Sequence, residues 1–182
     1  MFEITYSGLF IVITMAWITV RVICAMRNRV VDGKFEAKLL TVYICLVVIA
    51  RFVYFPSDLV DGRIASLYLD FDKVFPFWIN LVPIVHMFDE YDGWLINIIG
   101  NIAMFIPLGI VWPVVFKKLN THGKVIAAGF GISLAIELLQ LPFFDRATDI
   151  DDLILKSTGY LLGYGIYLVT NRLWCKYNKK ET

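Results

Sequence analysis

The sequence predicts an all-α membrane protein: a bundle of about five transmembrane helices with a long extracytoplasmic loop between the second and third. Of its 182 residues, 59% are hydrophobic and only 18% are charged, and the mean hydropathy is +0.70. Soluble domains are nearer half apolar and a quarter charged. The charged residues also gather in short clusters between long apolar runs, which is the pattern that a bilayer requires. We therefore expect a single membrane domain over residues 1–182.

Five apolar segments mark the predicted spans. The first is expected to be retained, because no basic region precedes it and the segment is too long for the core of a signal peptide. A charged turn separates it from the second segment, and the basic tail after the fifth is expected to fray. The segments cover residues 5–26, 39–55, 94–116, 125–142 and 153–171.

The connection over residues 56–93 is long, acidic and aromatic, unlike the others. Apolar and polar residues alternate within 65–71, which predicts a short extended segment. The aromatic residues that follow at 75–78 are typical of a membrane interface. We therefore expect this loop to lie on, or dip into, the outer leaflet.

Lysine and arginine residues set the predicted orientation, because cytoplasmic loops carry an excess of them. The first and third connections and the tail together carry 11 of these residues, whereas the second and fourth connections carry 3. The first group is therefore expected to be cytoplasmic. This predicts a multi-pass chain with its N-terminus outside and its C-terminus in the cytoplasm.

In this orientation, polar residues from five segments converge at the extracytoplasmic face. Asn97 and Asn101 are four residues apart and therefore share a face of the third helix. The acidic residues supply three candidates for catalysis, Glu137, Asp149 and Asp152. The full set of candidate ligand-binding residues is Asn80, Asn97, Asn101, Ser133, Glu137, Gln140, Arg146, Asp149, Asp152 and Lys156.

Glu137 is the sharpest single signal in this set, because an acidic residue within a span costs about 2.5–3.5 kcal/mol on insertion scales. Three interpretations stay open for it. It forms a buried ion pair with Lys156 or Arg146, it takes part in ligand binding or proton transfer, or it snorkels to the interface.

The acidic residues before the fifth span have two interpretations. Asp151 and Asp152 stand where aspartates cap a helix and complement its dipole. Asp149, together with Arg146, fits a binding site as well as it fits a cap.

Structural roles are expected for several other residues. Arg21 and Arg51 lie near helix ends and are expected to snorkel, and His86 and His122 are expected at the surface. Small residues allow helices to approach closely, which is the expected role of Gly129, Gly159 and Gly163; Pro107 is expected to kink or loosen the third helix.

Composition also argues against several classes of function. A net charge of +1 gives no electrostatic reason to expect binding to nucleic acid. The cysteines show no metal-ligand spacing, so packing roles are expected for Cys24, Cys45 and Cys175, and we expect neither a metal nor another cofactor.

Several motifs resemble those of VanZ-like membrane proteins. The segment 101–109 resembles the family's N-x-x-x-F-x-P-x-G signature, and 80–83 resembles its preceding N-L-x-P. The segment 137–140 resembles its E-x-x-Q, and 146–152, followed by two glycines, resembles its R-x-x-D-x-x-D and glycine tail. Together the motifs cover residues 80–165 in the family's order.

One pair of residues departs from the family pattern. Lys156 and Ser157 stand where members commonly have Asn-Thr. A cation thus replaces a neutral amide beside the polar residues, where it is expected to pair with Glu137 or Asp152. The binding chemistry of the family is therefore not expected to transfer unchanged.

The resemblance implies a protein of the bacterial cell membrane with a role in resistance to glycopeptide antibiotics, particularly lipid-bearing ones such as teicoplanin, or in envelope homeostasis. One hypothesis is recognition or modification of a membrane lipid, a lipid-linked cell-wall precursor or the glycopeptide itself. A second is a membrane hydrolase or transferase that acts on a lipid head group through Glu137, Asp149 and Asp152. A transporter ranks lower, because the five helices show no inverted repeat, although a homo-oligomer would weaken that objection.

Overall fold

The computed structural model describes residues 2–28, 32–55, 59–60, 62–69, 79–83, 94–119, 121–143 and 148–178. Helices dominate these residues, and the strands between them are only two or three residues long. The elements are β1 (Phe2–Ile4), α1 (Tyr6–Asn28), α2 (Gly33–Tyr54), β2 (Leu59–Val60), β3 (Arg63–Ile64), β4 (Leu67–Leu69), β5 (Ile79–Asn80), α3 (Trp94–Val115), α4 (His122–Gln140), β6 (Thr148–Asp149) and α5 (Ile150–Asn178).

The predicted all-α class is confirmed, and each of the five predicted spans falls within one of these helices or within two residues of its ends. Among the described residues, α1, α2, α3 and α4 are long and apolar enough to cross a membrane. The helix α5 has sufficient length at 29 residues, but lysine, tyrosine, glycine and small polar residues lower its hydropathy. The crossing by α5 and the orientation of the chain therefore stay predictions.

The helices α2 and α5 extend furthest beyond their predicted bounds. The helix α2 begins at Gly33 because the Asp32 side chain accepts a hydrogen bond from the backbone N–H of Lys34 at 2.9 Å, which caps the helix. The prediction of a frayed tail is wrong as far as Asn178, to which α5 continues. Lysine and arginine favour helix and complement the dipole at its C-terminal end.

Two compact units divide the chain, and each is described by itself. The first comprises Met1–Asn80 and Glu137–Thr148, and the second comprises Leu81–Ile136 and Asp149–Thr182.

Short strands contribute to the first unit. The strands β1 and β4 pair antiparallel, with Phe2 opposite Leu69 and Ile4 opposite Leu67, and β2 and β3 form a second antiparallel pair. The extended segment predicted within 65–71 is thus confirmed at β4, whereas Asp70 and Phe71 lie outside the described residues.

The helices α1 and α2 are joined through polar and aromatic side chains. The hydroxyl groups of Thr14 and Tyr43 share a hydrogen bond of 2.7 Å, and the Trp17 ring lies 5.5 Å from the Tyr43 ring. Arg21 was predicted to snorkel, but its guanidinium forms an ion pair with the Glu36 carboxylate of α2. Arg21, near the C-terminal end of α1, is thus paired with Glu36 in the first turn of α2.

The helices α3 and α5 approach each other closely in the second unit. A Cβ atom added at Gly159 would collide with the backbone carbonyl of Ile102, and one added at Gly163 would collide with that of Ile106. The packing role predicted for both glycines is therefore confirmed. The close approach holds the N-terminal turns of α5 beside the middle of α3.

Candidate functional site

The carboxylate of Asp152, in the first turn of α5, accepts hydrogen bonds from side-chain amides of α3. The Nδ2 of Asn101 donates to the Oδ1 of Asp152 at 2.9 Å and also to the Oδ1 of Asn97 at 2.9 Å. Asn97 in turn hydrogen-bonds to Asp152 through its side chain. The two asparagines thus share one face of α3, as their spacing predicted, and that face is turned toward α5.

Lys156 lies one turn after Asp152 on the same helix. Its Nζ is 3.7 Å from the Oδ2 of Asp152, and its side chain is only 1% exposed. This confirms one of the two partners predicted for the lysine. We call Asn97, Asn101, Asp152 and Lys156 the amide–carboxylate cluster.

Opposing effects act on the protonation of Asp152, which precedes the span predicted at 153–171. Burial raises the pKa of this carboxyl above its ordinary value of 3.8, and the nearby charges of Asp149 and Asp151 act in the same direction. The ammonium group of Lys156 and the hydrogen bond from Asn97 oppose the rise. The net direction is upward, so Asp152 takes up a proton more readily than an aspartate in water.

The start of α5 corrects the predicted capping roles. The helix begins at Ile150, and the Oδ1 of Asp149 accepts a hydrogen bond from the backbone N–H of Asp151 at 2.9 Å. Asp149 is therefore the capping residue, whereas Asp151 and Asp152 belong to the first helical turn. The prediction that Asp151 and Asp152 are caps is wrong, although both stand where a negative charge complements the helix dipole.

Ser133 of α4 is fully buried, and its hydroxyl donates to the backbone carbonyl of Gly129 at 3.1 Å. This hydrogen bond, made to the residue four positions back, is a common arrangement for serine within a helix. It satisfies the hydroxyl as a donor, and a role for Ser133 in ligand binding stays a prediction.

Three further candidates belong to the first unit. Glu137 is only 2% exposed, and its backbone carbonyl accepts a hydrogen bond from the Thr148 hydroxyl at 3.0 Å. The Nε2 of Gln140 donates to the carbonyl of Val53 at 3.3 Å. Asn80 lies half-buried in β5. The predicted candidate Arg146 lies outside the described residues, as does His86.

The described carboxylates, cysteines and histidines include no group of three or more arranged to hold a metal ion. In the cluster, Asp152 is engaged by two amides and a lysine instead. This arrangement suits hydrogen bonding to a polar ligand or transfer of a proton.

Sequence reasoning missed a row of tyrosines that continues along α5 from the cluster. The Tyr160 ring lies where a Cβ atom at Gly129 would be, which confirms the packing role predicted for that glycine. The hydroxyl of Tyr164 shares a hydrogen bond of 2.7 Å with the Nδ1 of His122. His122 is exposed, as predicted, but it is tied to α5. The sequence did contain a sign of this row, because Asp152, Lys156, Tyr160 and Tyr164 follow one another at intervals of four residues.

Comparison with known proteins places these elements in a family. The model of the family described as VanZ/LLP1 matches residues 40–171, which is well over half of the chain. The chain belongs to the VanZ/LLP1 family. The matched part contains every candidate site residue, the whole of α3 and α4 and most of α2 and α5, whereas α1 lies outside it.

Sequence similarity to a curated protein is consistent with membership in this family. Protein VanZ of Enterococcus faecium is 36% identical over 76 residues, which are 42% of this chain and 47% of that protein. The chain thus spans about half the length of the curated relative that it matches. No solved structure matches this VanZ/LLP1 chain.

Proposed function

We propose that this protein contributes to resistance against glycopeptide antibiotics, particularly lipid-bearing ones such as teicoplanin, by recognising or modifying a lipid-linked envelope component at the extracytoplasmic face. The observation that carries this proposal is the amide–carboxylate cluster, where α3 and α5 meet. Two of its residues belong to family-like motifs: Asn101 opens the segment 101–109, and Asp152 closes the segment 146–152. Membership in the VanZ/LLP1 family supports the same function.

The chemistry of the cluster suits the polar part of such a ligand. Amide and carboxylate groups form hydrogen bonds with the hydroxyl and amide groups of sugars and peptides. Asn97 is exposed, so its side chain is accessible to a ligand even while it hydrogen-bonds within the cluster. The buried members Asn101 and Lys156 hold the Asp152 carboxylate in place.

Apolar side chains next to Asn97 suit an acyl chain. Leu95, Ile96 and Ile99 are at least half exposed on the first turns of α3. Exposed apolar residues next to a polar cluster would bind both parts of a molecule that has a polar head and a fatty tail. This favours a lipid-bearing ligand over a purely polar one.

Inhibitory concentrations of teicoplanin test the proposal in a susceptible host. Expression of the natural chain should raise the concentration, and Asn101→Ala should abolish the rise, because it removes the amide that joins Asn97 to Asp152. Asn171→Ala is the matched control, since Asn171 is exposed near the other end of α5. Protein levels in the membrane must be equal. The absence of any rise, or full resistance of the Asn101→Ala strain, would refute the proposal.

The raised pKa of Asp152 favours a second candidate function, a membrane enzyme in which this carboxyl transfers a proton to or from a lipid head group. The same strains distinguish the two functions. A binding protein leaves the lipid composition unchanged, whereas an enzyme produces a new or altered lipid that is absent from the Asn101→Ala strain. Mass spectrometry of the extracted lipids measures this difference.

A further inference from the structure

Four ionisable side chains follow one another along a single face of α5. Asp152, Lys156, Tyr160 and Tyr164 are each separated by four residues, so they lie one above another on the helix. Lys156 and Tyr160 are 1% exposed, and Tyr164 is 8% exposed. Lysine is almost never fully buried unless it is paired, and ionisable residues within membrane helices usually have a function. We call these four residues the α5 column.

Both ends of the α5 column are joined to other polar groups of the second unit. At one end, Asp152 contacts Lys156 at 3.7 Å and receives the Asn101 amide from α3. At the other end, the Tyr164 hydroxyl and the His122 imidazole of α4 share a hydrogen bond of 2.7 Å. The column thus connects two hydrogen-bonded groups on different helices.

The middle of the column carries an unsatisfied group. The hydroxyl oxygen of Tyr160 is buried, as is that of Ser157, and neither has a hydrogen-bond partner among the residues that the structure describes. Leaving a buried hydroxyl unpaired costs about 1–3 kcal/mol, and internal water commonly satisfies such groups. Tyrosines on a helix point back toward its N-terminus, which directs the Tyr160 hydroxyl toward the level of Lys156.

The length of the column is appropriate for transfer through a membrane. Twelve residues separate Asp152 from Tyr164, which corresponds to about 18 Å along a helix. The hydrocarbon core of a bilayer is about 30 Å thick. The asparagines of α3 and the exposed His122 extend the polar connection beyond both ends of the column.

We propose that the α5 column, with His122, is a path for protons between the two ends of α5. In each step the protonated group passes one proton on and then receives another, so no oxidant or further reactant is needed. The Lys156 ammonium gives a proton, through water, to the Tyr160 hydroxyl oxygen as that hydroxyl releases its own proton toward Tyr164. Tyr164 passes a proton to the Nδ1 of His122, and the imidazolium releases a proton to solvent. At the other end, the partly exposed Asp152 carboxylate takes up a proton from solvent and passes it to the Lys156 amine.

Proton flux into liposomes that contain the purified full chain and a trapped pH-sensitive dye tests this path. A potassium gradient with valinomycin supplies the driving potential. The natural chain should acidify or alkalinise the lumen faster than protein-free liposomes do. Tyr160→Phe should abolish the additional flux, because it removes only the hydroxyl. Tyr177→Phe, at an exposed position on the same helix, should leave the flux unchanged.

A loss of flux in Tyr160→Phe should not result from misfolding of the variant. Removing a buried hydroxyl that lacks a protein partner relieves the cost of burying it, so Tyr160→Phe in detergent should unfold at a temperature no lower than that of the natural chain. A natural chain with no flux above protein-free liposomes would overturn the proposal. Equal flux through Tyr160→Phe would also overturn it, since it would indicate a leak that does not use the column.

Discussion

The helix pair α1–α2 of the first unit and the helix pair α3–α5 of the second are held together by different means. No residue is buried in the most apolar part of α1, whereas a third of the most apolar part of α2, and likewise of α3, is buried. The first pair is joined by long side chains, such as those of Arg21 and Glu36. The second pair brings the two backbones together over Gly159 and Gly163.

This difference shows how a membrane helix can be fixed in place. Lipid is as apolar as leucine, so apolar side chains alone do not drive helices together; small residues and hydrogen bonds do. Close contact between α3 and α5 fixes their side chains with little freedom, which is what a site requires. The α1–α2 pair lacks this close contact, and the family match begins at residue 40, after α1.

The largest expected loss of stability comes from a bulky side chain at the close contact between Gly159 and α3. Gly159→Leu would place a side chain against the backbone carbonyl of Ile102, and backbone cannot move aside as a flexible side chain can. Overpacking typically costs about 1–3 kcal/mol for small additions, and a leucine at backbone contact should exceed this range. We expect Gly159→Leu to fail to yield folded protein in detergent, as measured by size-exclusion chromatography and circular dichroism.

The matched control for this change is Gly165→Leu on the same helix. Among the described residues, no atom lies within 4 Å of a Cβ atom added at Gly165, and leucine favours helix over glycine by somewhat less than the roughly 0.8–1 kcal/mol that separates alanine from glycine. The control should therefore fold normally. Normal folding of Gly159→Leu would show that α3 and α5 do not depend on close backbone contact.

The next largest effect comes from the buried cation. Lys156→Met leaves the partly buried Asp152 carboxylate without its ammonium partner. Breaking a fully buried ion pair costs about 3–5 kcal/mol, and because Asp152 is partly exposed we expect about 2–3 kcal/mol. Chemical unfolding in detergent at neutral pH measures the loss. A second change, Asp152→Asn, should recover most of it.

The loss caused by Lys156→Met should depend on pH. Burial already raises the pKa of Asp152, and removing the cation raises it further. A group whose pKa is higher in the folded state than in the unfolded state stabilises the fold at low pH and loses this contribution as pH rises through the folded value. The variant should therefore be nearest to the natural chain in acid. A loss that is the same at every pH would indicate a packing defect rather than an unpaired carboxylate.

The smallest effect is expected for the α1–α2 ion pair. Arg21 and Glu36 are each about a quarter to a third exposed in their side chains, and exposed pairs contribute about 0.2–1 kcal/mol. Glu36→Gln should therefore lower the unfolding free energy by less than 1 kcal/mol. A double-mutant cycle with Arg21→Met isolates the coupling between the two residues. A coupling above that of the Lys156–Asp152 pair would reverse the comparison between the two helix pairs.

Local patterns were sufficient to predict most of the helical structure. The five apolar runs gave five helices, because hydropathy reports directly on which segments can be buried in lipid or protein. Helix ends were less predictable, since capping by Asp32 or Asp149 depends on the backbone conformation at a single residue.

The site was predictable in part. The spacing of Asn97 and Asn101 places both on one face of α3, and the charge of Lys156 makes an acidic partner necessary. The choice of Asp152 as that partner depends on the arrangement of several neighbouring carboxylates, which short motifs do not specify. The tyrosines of the α5 column were missed because single tyrosines in an apolar helix are ordinary residues.

The sequence by itself determined the class of the protein, the approximate positions of its helices and its family-like motifs, because these follow from composition and local spacing. Only the tertiary structure decided that α3 and α5 meet through glycines, that two asparagines converge on Asp152, and that His122 contacts Tyr164. The physical reason is that these contacts join residues 42 to 57 positions apart. Which distant side chains meet depends on the rotation and closeness of packed helices, which local periodicity constrains but does not fix.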